Sequence, residues 1–301
     1  LKNIAKIWLI VTSLLLSLAT SSALAAPQGW SPLLEPDDLA AILGRETSVR
    51  VIHVTGQYDA GHIPGALHAP YAEFRGPQSN PGELPSIEAL TTLVQKLGIS
   101  ADTPVVVVHQ GSNTPDMGTA TRVYWTLKSL GVQDLAVLNG GFAAWQHGGY
   151  PVSTDTVEVT ASNFVPVWQD TWRISADEIE QGLITGEAQV IDARPQAYFE
   201  GLEATASRAG TIPGATNLSF ENWFEGNSLK SDGQLQSVLT SASRTTAQET
   251  VSFCNSGQLA SINWFVMSEI SGMENVRLYA ESIMEWADSD RPMANQSPAQ
   301  P

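Results

Sequence analysis

Short runs that are apolar at successive positions recur along the chain: Val49 to Val54, Val105 to Val108, Val190 to Ala193 and Thr250 to Phe253. Runs of this kind, rich in β-branched residues and without alternation, suit strands buried on both faces of a parallel sheet. Helically spaced segments separate them. After Phe253, the stretch Asn255 to Gln258 carries turn chemistry around Gly257, and from there Leu259, Ile262, Phe265, Val266 and Ile270 fall on one helix face. Cys254 therefore stands where a strand hands over to a helix. The order strand, Gly-Pro turn, helix, strand, loop, helix, strand places the fold in the α/β class, small parallel sheets flanked by helices.

That order occurs twice. Gly61-His62-Ile63-Pro64-Gly65-Ala66 is answered by Gly210-Thr211-Ile212-Pro213-Gly214-Ala215, "PVVVVHQG" (104–111) by "ETVSFCNSG" (249–257), and "VLNGGFAAW" (137–145) by "LYAESIMEW" (278–286). Two copies offset by about 140 to 150 residues imply two similar domains rather than a solenoid of short units. The join falls in residues 151–168, giving domains over 26–155 and 156–293.

The first 25 residues pair Lys2 and Lys6 with an apolar run from Ile7 to Leu18 and end in Ala23-Leu24-Ala25, the three regions of a secretory signal peptide. A retained membrane anchor is the alternative, against which Thr12, Ser13 and Ser17 interrupt a short apolar core. The reading implies a periplasmic or secreted protein with no stable membrane insertion after cleavage. Residues 294–301, "ANQSPAQP", have the composition of a disordered tail. The net charge is −16, and removal of the two leader lysines makes it −18, which excludes nucleic acid as a natural partner.

Cys254 is the sole cysteine. It forms no internal disulfide, and the clustered ligands of a structural zinc site are missing, so no metal is expected. A lone buried cysteine is often only a small apolar residue. The position argues otherwise: at the start of a helix, unpaired N–H groups and the macrodipole favour an anion, which makes a thiolate a competent nucleophile. Gly257 lets the loop curl its amides inward. Retention of one thiol in an oxidising compartment points the same way.

Taken together, the strand-Cys-loop-helix, the Asp192-x-Arg194 pair after an apolar strand and the repeated G-[HT]-I-P-G-A motif resemble the tandem-domain rhodanese-like sulfurtransferases, over nearly all of the chain after the leader. The resemblance implies two rhodanese-like domains and no cofactor. It also implies a persulfide on Cys254, loaded from a small anionic sulfur donor such as thiosulfate or 3-mercaptopyruvate and discharged to a thiophilic acceptor such as cyanide or a thiol. Thiosulfate is the expected donor and a monomer the expected state. Where the second domain has Cys254, Asp192 and Arg194, the first has His109, His53 and Thr55, as a catalytically inactive copy would.

Roles follow from the chemistry. Arg194, oriented by Asp192, is the candidate clamp for the donor anion, since a planar guanidinium binds sulfonate or carboxylate in two bonds; a strand-end salt bridge is the other reading. Asn255, Ser256, Gly257 and Gln258 form the loop around the sulfur. Arg208 stands where some relatives keep a second basic residue, and a surface arginine explains it equally well. Trp223 and Trp264 read as core. A phosphatase of the same fold needs Cys-x5-Arg, and that count from Cys254 reaches Ala260. A persulfide carrier without its own turnover remains open.

Overall fold

A computed structural model describes residues 26–242 and 249–295. The expected leader, residues 1–25, lies outside the described residues, as does the expected tail beyond Asn295. The tail does not begin at Ala294: that residue exchanges two backbone hydrogen bonds with Thr211 (2.8 and 2.9 Å), and Asn295 donates to the Phe199 carbonyl.

The first half runs β1 (Leu33–Leu34), α1 (Pro36–Leu43), β2 (Arg50–His53), β3 (Leu67–His68), α2 (Ile87–Lys96), β4 (Val105–Val108), α3 (Thr114–Ser129), β5 (Leu135–Leu138) and α4 (Gly141–His147). Its parallel sheet has the order β1-β5-β4-β2-β3. The second half runs α5 (Ala176–Thr185), β6 (Ala188–Asp192), α6 (Gln196–Phe199), β7 (Thr216–Asn217), β8 (Phe224–Glu225), β9 (Ser228–Leu229), α7 (Asp232–Ala242), β10 (Glu249–Phe253), α8 (Gln258–Trp264), β11 (Val276–Leu278) and α9 (Ser282–Asp288). Its parallel sheet is β11-β10-β6-β7, with β8 and β9 forming a small antiparallel hairpin. In place of a fifth strand, Arg173 makes a single parallel bridge to Leu278.

The four apolar runs are the central strands, as their uninterrupted burial requires: all four valines of β4 are fully covered. Helix termini follow local chemistry. Asn113 caps α3 through the Asp116 amide, and Ser175 with Glu178 closes a reciprocal capping box on α5.

The two halves share a core. One apolar cluster contains Val105, Val107, Trp125 and Leu127 of the first half together with Ile191, Ala193, Trp223, Cys254 and Trp264 of the second. Separate clusters lie on the outer face of each sheet. Helix α3 is buried almost all round because it lies between its own sheet and α8. Small residues permit that approach: a side chain on Gly118 would run into the Gln258 carbonyl at 2.7 Å, and the Thr121 and Ser261 hydroxyls meet at 2.7 Å.

Candidate active site

Strand β10 pairs with β6 so that Phe253 faces Asp192, and Cys254 follows directly on the side of the shared core. Its backbone is held from the β11–α9 turn. The Cys254 N–H donates to Ser282 Oγ (3.1 Å), Ile283 N–H donates to the Cys254 carbonyl (3.1 Å), and Met284 N–H donates to the Asn255 carbonyl (3.2 Å). Ser282 adopts φ +59°, a left-handed conformation that costs a non-glycine residue roughly 1–2 kcal/mol. Its hydroxyl recovers part of that through the Cys254 amide and the Tyr279 carbonyl. The first domain makes the same latch from Gly141 (φ +63°), with Phe142 and Ala143 donating to the His109 and Gln110 carbonyls. Ser282 was legible as the partner of that glycine in the repeat, yet nothing in the sequence announced its bond to Cys254.

The loop turns at Gly257 (φ +77°), where a side chain would overlap Arg122 Nη1 and the Ala280 carbonyl. Gly257 at the N-cap has no side chain to cap α8, so among the described residues its first amides receive no capping bond from that position. Asn255 Oδ1 accepts from Thr205 at 2.5 Å, and Gln258 reaches across to the Pro115 carbonyl of the first domain. Ser256 lies half-buried between them. The thiol of Cys254 is fully covered.

Arg194 departs from the clamp expected of it. Its Nε and Nη2 are closed on the Asp192 carboxylate (2.9 and 2.7 Å), Nη2 also meets the Gly210 carbonyl (2.8 Å), and the residue is 2% exposed. Asp192 further accepts from Thr211 and from the Arg194 amide. The guanidinium lies over Phe253, on the face of the sheet opposite Cys254. This is the strand-end ion pair, which fixes the G-T-I-P-G turn to β6. Arg208 is also turned away: it donates to the carbonyls of Trp286, Ala287 and Ser289, capping the end of α9. Trp223 and Trp264 are fully buried and satisfy their indole N–H groups on Asn263 and Val276.

The equivalent place in the first domain holds His109, fully buried, with its Nδ1 3.6 Å from the Asp116 carboxylate. Asp116 accepts from Thr55 Oγ1 (2.8 Å) and from the Gly111 amide (2.7 Å).

The description "Rhodanese-like domain" matches residues 35–147 and again residues 175–289. The chain belongs to the rhodanese-like family. Among curated relatives, a Synechococcus elongatus protein named, provisionally, a thiosulfate sulfurtransferase is 30% identical over 78% of this chain and 76% of its own. The 3-mercaptopyruvate sulfurtransferase of Escherichia coli K12 is 26% identical over 80% and 86%. The sulfur carrier protein TtuD of Thermus thermophilus is 29% identical over 81% and 89%. Among solved structures, a 3-mercaptopyruvate sulfotransferase of E. coli superposes with TM-score 0.72 at 22% identity, covering 84% of this chain and 98% of its own. The anaerobic ergothioneine biosynthesis enzyme of Chlorobium limicola gives 0.78 at 20%, over 90% and 72%. These superpositions establish the rhodanese fold in both halves.

Proposed function

We propose that this rhodanese-like protein moves a sulfane sulfur from an anionic donor, thiosulfate above others, through a persulfide on Cys254 to a thiophilic acceptor. The observation that carries the reading is the position of the sole thiol, latched at the end of β10 beside an uncapped helix start. The Cys254 thiolate attacks the outer sulfur of thiosulfate; a new S–S bond forms, the donor S–S bond breaks, and sulfite leaves with the electron pair. A thiol or cyanide then attacks the outer sulfur and restores the thiolate. Charge passes to the leaving sulfite, so donors fixed around it lower the barrier. Because the thiol is covered, loading requires neighbouring side chains to move aside.

A 3-mercaptopyruvate donor is the second reading, supported by the neutral pair Asn255 and Ser256 and by the E. coli relative's name. In a carrier of the kind the Thermus relative's name describes, the sulfur would load once and leave only to a partner protein. Mass spectrometry of the protein after exposure to donor should show a gain of about 32 Da, one sulfur, which Cys254→Ser lacks along with all turnover. Transfer by the serine variant at the wild-type rate would refute the proposal. Side-by-side rates with thiosulfate and 3-mercaptopyruvate assign the donor, and a kcat/KM for mercaptopyruvate more than about tenfold higher overturns the choice of thiosulfate.

A further inference from the structure

With Arg194 closed on Asp192 and Arg208 on backbone carbonyls, neither arginine that the sequence offered in the catalytic domain is free to hold the donor's negative charge. The first domain supplies one. Arg122, on α3, is fully buried, and its Nη1 lies against Gly257 in the loop that follows Cys254. Nη1 donates to the Ala280 carbonyl (3.3 Å) and Nη2 to the Gly82 carbonyl (3.1 Å), while the buried Nε has no acceptor among the described residues. Arg122 makes no ion pair among the described residues; the carboxylate nearest in effect, Glu281, is bound to Arg173 at 2.5 Å.

A second guanidinium stands in the same row. Arg75 lies 5.1 Å from the centre of the Tyr71 ring, donates to the Pro81 carbonyl, and likewise has no ion pair among the described residues. Tyr71 shares the apolar cluster of Cys254; its hydroxyl is buried without a partner among the described residues, and burial holds its pKa above the ordinary value, so it remains a donor. Burial deepens along the row, from half-buried Arg75 through Tyr71 to fully covered Arg122 and Cys254. Among the described residues, two cations without an ion pair and a hydroxyl without a partner, packed around the core that holds Cys254 in a protein of net charge −16, leave a positive charge that an incoming anion would neutralise.

We propose that Arg122 and Arg75 of the first domain hold the anionic end of the sulfur donor, with Tyr71 donating a hydrogen bond to it, while Cys254 takes the outer sulfur. The first domain is then a substrate-binding half rather than a spent copy. This rests on the sulfurtransferase reading above, and the two fail differently.

The test uses the full chain with whichever of thiosulfate and 3-mercaptopyruvate the wild type uses. Arg122→Gln and Arg75→Gln should each raise the donor KM about tenfold, and Arg122→Lys should recover much of it. A purely structural Arg122 would instead lower the melting temperature and the active fraction, seen in kcat, with KM unchanged. Calorimetry with inorganic thiosulfate on Cys254→Ser protein gives a readout without chemistry: affinity should fall about tenfold when Arg75→Gln is added. Arg75 is half-buried, so this second variant decides the matter even where Arg122→Gln does not fold. Unchanged KM and unchanged anion affinity in the Arg75 variant, in a protein that still gains the persulfide mass, overturn the proposal. Absence of any persulfide in the wild type sinks the sulfurtransferase reading instead.

Discussion

The loops that follow β4 and β10 are the same backbone device put to opposite ends. Each is latched by two amides from the next strand-to-helix turn, and each precedes a helix. In the first domain the anion-binding position is filled by the chain's own carboxylate, since Asp116 takes the Gly111 amide and the Thr55 hydroxyl. In the second domain Cys254 stands at the strand end, and among the described residues no carboxylate bonds to the loop amides. A fold that gathers amides at a strand end needs an anion there. One copy carries a carboxylate there, and the other presents its thiol.

The pairs beneath the loops differ in the same sense, and the largest expected effect lies there. Asp192–Arg194 is a fully buried ion pair, whereas the first domain has neutral His53 and Thr55 at those positions. Arg194→Ala strands a buried carboxylate and should cost about 3–5 kcal/mol in denaturant unfolding. An unchanged stability with a raised donor KM would restore Arg194 to the role of clamp.

Acid should expose the weakness of the neutral pair. His53 is held down to about 4, first by burial and then by His62 and His68. The unfolded chain therefore takes up a proton below about pH 6.5 that the folded chain refuses. Stability should fall by about 3 kcal/mol as pH drops from 6.5 to 4, and His53→Gln should flatten that slope. An identical pH profile in the variant would show that His53 is protonated in place.

The smallest effect concerns the carboxylate that fills the first-domain loop. Burial would raise the Asp116 pKa, but His109, Thr55 and the Gly111 amide outweigh it, and the net shift is downward. A depressed carboxyl stabilises the fold above its unfolded pKa and loses that contribution as pH falls through the folded value. Asp116→Asn should accordingly cost about 1–2 kcal/mol at pH 7, by thermal melting, with the gap closing below pH 4. A gap that stays constant into acid would mean that only the volume of Asp116 matters.

Much of this was legible in the residues. Unbroken valine runs can only be doubly buried strands, and the repeated motifs paired His109 with Cys254 and Gly141 with Ser282 position by position. The Asp192–Arg194 salt bridge was one of two readings, but the places of Arg208 and Arg122 were not legible, because their partners are carbonyls distant in sequence. Arg208 reads as a free cation until the end of α9 folds back onto it. Arg122 is invisible for the same reason: its contacts lie 40 and 158 residues away, and nothing in the pattern of α3 says that its buried face meets another domain.

Because Gly118, Thr121 and Ser261 let α3 lie directly on α8, neither copy of the repeat is free to drift. The first copy carries His109 where the second has Cys254, yet each small residue along that line is held to its size by the helix opposite. A bulky substitution at Gly118 would press on the Gln258 backbone and shift the loop that follows Cys254 in the other half. With Arg194 and Arg208 closed on structural partners and α8 leaning on α3, the second half takes part of its packing from the first, and the two behave as one body.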